Sequence, residues 1–189
     1  MTNVLVLGGT GMLRALVLKL LAEPKQVFVL ARKPEGLRAL TELALDDARH
    51  LTTMALDYHD LERVGHWVAH VQLMHGPIDQ VVAWVGGDRE AVLSVVDQQI
   101  YQYRRIPWDL YDIRGSRTYV DPPPVPPLRP NCRYHRIILG FQVDHGTSRW
   151  LTHDEISRGI FQAMGPASAD ADTVVIGRVE PWELRPTEE

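Results

Sequence analysis

Apolar residues in this chain come in two alternating patterns, short continuous runs and longer amphipathic stretches. Val4-Leu5-Val6-Leu7 is unbroken and stops at Gly8. A run that short, without polar alternation, predicts a strand covered on both faces, as in a parallel sheet. From Met12 to Leu21 the spacing becomes helical. Leu13, Leu16, Val17, Leu20 and Leu21 share one face, and Pro24 lies just beyond. Val27 to Leu30 is a second unbroken run. Strand, helix and strand thus fall within about 30 residues, the size of a βαβ unit.

The alternation continues along the chain. Helices are expected over 35–45, 60–74 and 88–99. Strands are expected over 51–56 and 79–85, and within 108–113, the last ending near Gly115-Ser116. The pattern then breaks. Residues 121–130 read DPPPVPPLRP, with six prolines, so this stretch is extended and exposed. It contains a P-x-x-P spacing that an aromatic-lined module could bind, and a stiff surface connection is the plainer alternative. Order resumes with a strand over 136–143. Thr152-His153-Asp154-Glu155 is a capping box that opens a helix to about Met164, and a last strand spans 173–179. Strands and helices of these lengths predict an α/β fold. It is a Rossmann-type, doubly wound parallel sheet of about seven strands with helices on both faces.

Composition narrows the class. At 189 residues a single domain over 1–189 is expected. A net charge of −4 gives no general pull toward nucleic acid or an anionic membrane, so neither is expected as a partner. No apolar stretch approaches the ~18 residues of a membrane span, and no basic segment precedes the first apolar run as in a secretory signal. Cys132 is the single cysteine, which excludes an internal disulfide and suits a reducing cytoplasm.

The candidate chemistry begins at Gly8-Gly9-Thr10-Gly11-Met12-Leu13-Arg14, between the first strand and the first helix. Free amides and a partial positive charge at a helix N-terminus attract a diphosphate, and glycines let the backbone approach it. A tight strand–helix turn without ligand is the plainer alternative. With the apolar helix that follows, GGTGML resembles the glycine fingerprint of the atypical and extended short-chain dehydrogenase/reductases. Arg14 stands where that fingerprint has its third glycine. Either the helix stands further from the sheet, or Arg14 points outward, where it could also touch phosphate.

The resemblance implies a cofactor site. Gly8, Gly9, Thr10, Gly11, Met12 and Leu13 would cradle the diphosphate. After the second strand, Leu30-Ala31-Arg32-Lys33 has no acidic residue for the ribose of NAD. Arg32 and Lys33 resemble the family's site for the 2′-phosphate, which implies NADP(H) rather than NAD(H); two solvated basic residues are the alternative. Asp57 and Tyr58, after the third strand, resemble the aspartate motif beside the adenine, and Asp57 could equally cap a helix. Trp84 and Val85 hold the position of the family's loop beside the cofactor ribose. Gly140 and Phe141 resemble a strand end beside the nicotinamide.

The family's usual catalytic set is a serine after the fifth strand and a Tyr-x-x-x-Lys pair. The only lysines here are Lys19, Lys25 and Lys33, so no such pair follows. Tyr101 and Arg105 have the spacing with the wrong cation. Ser116, His145 and His153 are the candidates for proton donation. GGTGML, a tryptophan at the end of the fourth strand, and Gly-Thr-Ser-Arg-Trp-Leu-Thr-His-Asp-Glu-Ile over 146–156 together resemble a compact bacterial short-chain dehydrogenase group, across most of residues 3–182.

Other candidates are read beside plainer roles. His66 and His70 have zinc spacing without a third ligand, or lie on a solvated helix face. Cys132 is a nucleophile or a packed small hydrophobe. Arg149 is an anion contact or a surface salt bridge. Trp150 is a stacking platform or, more simply, core. Two functions stay open: an NADP(H)-dependent oxidoreductase acting on a small molecule, and a non-catalytic NADP(H)-binding sensor. A homo-oligomer is possible, although the helix through which the superfamily often dimerises is missing from the pattern.

Overall fold

The computed structural model describes residues 1–168 and 171–186. The expected single domain also takes in 169–170 and 187–189, which lie outside the described residues. The strands are β1 (Thr2–Leu7), β2 (Lys25–Ala31), β3 (Leu51–Ala55), β4 (Gln80–Ala83), β5 (Trp108–Gly115), β6 (Cys132–Leu139), β7 (Phe141–Asp144), β8 (Thr147–Trp150) and β9 (Thr173–Ile176). Seven of them form one parallel sheet in the order β3-β2-β1-β4-β5-β6-β9. The helices are α1 (Arg14–Leu21), α2 (Pro34–Ala44), α3 (Leu61–His75), α4 (Arg89–Tyr103), α5 (Arg117–Val120) and α6 (His153–Ala163). The expected α/β doubly wound architecture is the one observed. β1 pairs with both β2 and β4, so the chain's winding reverses at its carboxyl end. Open α/β sheets bind ligands at such a switch point.

Both faces are covered, which is why the strand sequences are apolar throughout. Val4 and Val6 face α1, α2 and α6, while Leu5 and Leu7 face α3 and α4. Asp60 caps α3 and Asp88 caps α4, each accepting the amide three residues on. The capping box of Thr152 and Glu155 opens α6 as its sequence requires.

Two expected strands need correction. The strand expected over 136–143 breaks at Gly140, because the chain there passes so close to Arg178 that a Cβ would run into its carbonyl. Past the break, β7 and β8 form an antiparallel hairpin that the sequence pattern did not reveal. Its two-residue corner, His145-Gly146, has φ of 50° and 83°, the left-handed pair that a tight hairpin demands. The last strand ends at Ile176, before Val179. Gly177 turns the chain at φ 80°, and Arg178 exchanges two 2.8 Å backbone hydrogen bonds with Phe141.

The β5–β6 crossover carries only α5 and the proline segment. That segment is extended and mostly exposed, with Pro126 buried and Leu128 packed on the α3–α4 side. The amide of Arg129 donates to Asp97 at 3.1 Å, and Arg136 donates to the Pro123 carbonyl at 2.7 Å. Beside it β5 and β6 present charge where an apolar surface would ordinarily meet a helix. Asp112, wholly buried, accepts from Arg89, from Arg114 Nε at 2.7 Å and from the Tyr134 hydroxyl at 2.8 Å.

On the opposite face His135 stacks on Tyr111. Its two ring nitrogens lie 3.0 Å from the Asp109 carboxylate and 3.0 Å from the Ala171 carbonyl. Both partners are acceptors, so the ring is satisfied only as an imidazolium. The Asp109 hydrogen bond accordingly raises its pKa against the opposing effect of burial. His135 therefore contributes stability that is complete below its ordinary value of about 6.5 and is lost as pH rises through the raised value. Urea denaturation from about pH 6 to about pH 9 should show a falling midpoint, and His135→Asn should remove that part of the slope. Equal slopes in the two proteins would refute the assignment. Gly140→Ala should cost about 1–3 kcal/mol, because the strand crossing must open. An unchanged urea midpoint would show that it can do so freely.

Candidate functional site

The site is built at the carboxyl ends of β1, β2, β4 and β5. The Gly8 amide donates to the Leu30 carbonyl at 2.9 Å, and its φ is 91°. A Cβ there would stand 2.8 Å from the Trp84 carbonyl, so glycine is required on two grounds. Gly9 is required for a different reason. A Cβ would lie 2.7 Å from Val29 and 3.1 Å from Val17, so this glycine sets how closely α1 approaches the sheet. That is the service expected of the fingerprint's third glycine. Arg14 in turn is exposed and points outward, the second of its two expected placements.

Gly11 faces open space, with nothing within 4 Å of a Cβ built on it. The amides of Gly9 to Leu13 donate to no acceptor among the described residues, and no side chain caps α1. Unpaired amides at a helix start call for an anion or water. Leu13 is itself fully buried, and the Met12 carbonyl accepts from Ser157 of α6 at 3.3 Å, so these two residues anchor the loop from below.

A cavity of about 460 Å³ opens beside this loop. Of the sequence candidates Gly8, Thr10, Arg32, Lys33, Tyr58, Trp84 and Val85 line it, together with Ala31, Gly86 and Arg89. The Arg32 guanidinium lies 5.6 Å from the ring centroid of Tyr58, which is nearly buried. Asp57 does not line the cavity. It accepts the backbone amide of His59 at 3.0 Å and its ring at 2.9 Å. The amide bond first, then the ring and Arg32, hold its carboxyl below the ordinary value. The helix-capping alternative for Asp57 is overturned, because Asp60 caps α3. Arg89 was not anticipated. A cation in the first turn of a helix opposes the helix dipole, and that misfit was the available signal. Its cause is the buried carboxylate of Asp112.

A second cavity of about 440 Å³ continues past Trp84, which belongs to both. Ser116 and Gly140 line it, with Gly115, Arg117, Leu139, Trp150, Leu151, Ile156 and Arg185. Of the proton-donor candidates only Ser116 is brought here. His145 sits at the exposed hairpin corner, and His153 is exposed in the first turn of α6, since its place in the capping box turns it outward. The Phe141 side chain is fully buried and lines neither cavity.

The remaining candidates resolve toward their plainer roles, with one exception. Arg149 forms a two-pronged pair with Glu155 at 2.9 and 3.0 Å and a third bond to Asp144 at 3.0 Å. Those Arg149 bonds, with Thr152, draw Glu155 down to about 2. Cys132 packs on the α3–α4 side, where burial pushes its thiol up, away from nucleophilic chemistry. His66 and His70 lie on the exposed face of α3. Arg105 folds back over Tyr101 at the end of α4, with its guanidinium 4.1 Å from the ring centroid. Trp150 is the exception. It is 37% exposed on the cavity wall rather than core, because β8 belongs to the hairpin and not to the sheet.

Solved structures share this architecture. They include a citronellol catabolism dehydrogenase of Pseudomonas aeruginosa, at 15% identity and TM-score 0.72, covering 93% of each chain. A short-chain dehydrogenase/reductase of Brucella melitensis described as glucose/ribitol dehydrogenase aligns at 15% identity and TM-score 0.73, covering 93% of this chain and 94% of that one. A Burkholderia cenocepacia short-chain dehydrogenase in complex with NADP aligns at 16% and 0.72, covering 93% and 96%. At these identities the likeness shows the fold alone. Comparison with curated proteins finds no match. The family described as short chain dehydrogenase matches residues 2–106, more than half of the sequence, and the chain belongs to that family.

Proposed function

We propose that this protein is an NADP(H)-dependent oxidoreductase of a small molecule, of the atypical kind that works without a Tyr-x-x-x-Lys pair. The single observation that carries the proposal is the row of unpaired amides over Gly9–Leu13 beside a cavity that ends on Arg32 and Lys33. The amides and the open face of Gly11 would hold the diphosphate. Arg32, seated over Tyr58, would hold the 2′-phosphate, for which a guanidinium fork is suited. Trp84 and Val85 would flank the ribose. Gly140, in the wall of the second cavity, would border the nicotinamide, and Ser116 would bond the reacting oxygen of the substrate. Bound there, NADPH would supply the hydride for a carbonyl carbon, and water beside Ser116 would supply the proton for the oxygen. The Burkholderia relative in complex with NADP supports the choice of cofactor. The lone cysteine supports a cytoplasmic setting, and among the described residues no helix is long and apolar enough to cross a membrane.

A second role is favoured by one specific fact, that no lysine follows Lys33. Without that cation the protein would bind NADP(H) as a sensor and turn nothing over. Carbonyl and quinone substrates offered with NADPH at high protein concentration separate the two. Consumption of NADPH that falls in Ser116→Ala supports the oxidoreductase, and binding without consumption supports the sensor.

Calorimetric titration tests the site itself. Arg32→Ala should weaken NADP by about tenfold or more while leaving NAD nearly unchanged. Gly11→Val should keep the parent's thermal midpoint, since its Cβ meets nothing within 4 Å, yet lose nucleotide binding. Failure of the parent to bind either nucleotide would overturn the proposal.

A further inference from the structure

We infer that the second cavity takes an uncharged aromatic aldehyde or ketone, its ring against Trp84 and its oxygen on Ser116. The inference rests on the oxidoreductase proposed above and names its substrate class. Ser116 is 4% exposed, and its hydroxyl has no hydrogen-bond partner among the described residues; only its backbone carbonyl is used, by the Tyr119 amide at 2.9 Å. A hydroxyl so nearly buried costs free energy until something pairs with it. Ser116 lines the cavity, so a ligand oxygen can be that partner.

The rest of the wall is apolar or already engaged. Trp84 is 36% exposed, and among the described residues no aromatic or cationic group stacks on its ring. Leu139, Leu151 and Ile156 add aliphatic surface. Arg185 is an occupied group, with its guanidinium 5.1 Å from the Trp150 ring centroid and 5.2 Å from that of Trp182. It braces the wall through Trp150 and is not offered to a ligand. Arg117 is exposed, so its charge stays in water.

These surroundings select by what they lack. A polyol would leave most of its hydroxyls unpaired against leucine, isoleucine and indole. A carboxylate would give up hydration with no fixed cation to replace it. A single carbonyl oxygen matches the single unpartnered hydroxyl. A flat ring matches an indole face that nothing covers, because aromatic rings attract one another beyond the area they bury. At about 440 Å³ the cavity is the size of a small-molecule site. Trp84 also borders the first cavity, so a ring held on it lies beside the proposed cofactor.

The chemistry balances without a further reactant. Ser116 would donate to the carbonyl oxygen while the carbon accepts hydride. The C=O π pair moves to oxygen, which takes a proton from solvent. One carbonyl, one NADPH and one proton thus give one alcohol and NADP⁺.

The test titrates acetophenone, cyclohexyl methyl ketone, benzoate and ribose into the full chain with saturating NADP, followed by tryptophan fluorescence and calorimetry. Acetophenone should bind about threefold or more tightly than its saturated counterpart, and about tenfold or more tightly than benzoate or ribose. Ser116→Ala should weaken acetophenone by about fivefold. Trp84→Leu should bring the two ketones within about twofold of each other and remove most of the fluorescence change. Thermal midpoints near the parent's show that both variants are folded. Benzoate or ribose binding as well as acetophenone overturns the inference, as does equal binding of the two ketones by the parent, or unchanged acetophenone affinity in Ser116→Ala. A parent that selects acetophenone but binds no NADP keeps the cavity's preference and sinks only the oxidoreductase proposal. A parent that binds NADP without selecting among the four sinks only the inference.

Discussion

A parallel sheet must be covered on both faces, and this chain must meet that requirement at β5 and β6 without a full helix in the crossover. Asp112 is its solution. The buried carboxylate gathers Arg89 from the start of α4, Arg114 from its own strand and Tyr134 from β6. A charge with no water around it is tolerable only with such partners, and removing one partner of a buried pair commonly costs about 3–5 kcal/mol. The same contact places Arg89 in the wall of the first cavity, and β5 continues into Gly115 and Ser116 in the wall of the second. One carboxylate thus ties a shortened crossover to both halves of the candidate site.

Trp84 joins those halves in another way. Its carbonyl crowds Gly8, so the backbone leaving β4 and the loop leaving β1 are in contact. Its side chain forms wall for both cavities. The order reversal of the sheet opens a crevice between these two strands, and this residue partitions it. On one side lie Arg32 and Lys33, and on the other Arg117 and Arg185.

The sheet and its helices were legible because burial on two faces leaves little freedom of residue type. Val4 to Leu7, Val27 to Leu30 and the faces of α1 and α6 have a period that only their own element satisfies. The glycine loop was legible for the same local reason. What stayed hidden depended on contacts distant in sequence. Gly140 reads as a residue within a strand until Arg178 is known to cross it. The hairpin of β7 and β8 is short and half exposed, so it lacks an apolar pattern, and its corner begins with histidine rather than the more usual asparagine or glycine. Trp150 looked like core because its neighbours in sequence do, yet β8 stands apart from the main sheet. Arg89 drew no reading from the sequence, because the partner that explains it lies 23 positions away.

The proline segment has a consequence for assembly. Its six prolines offer no backbone N–H, and the ring fixes φ at each. Such a strip cannot be recruited as an extra strand by a neighbouring copy, nor can it coil against a helix. Where a helix would have offered a flat apolar face for self-association, this molecule offers a stiff ridge poor in donors. Any strand-to-strand pairing between copies must therefore be built elsewhere, at an edge that keeps its donors, and not on the ridge that follows α5 in the wall of the second cavity.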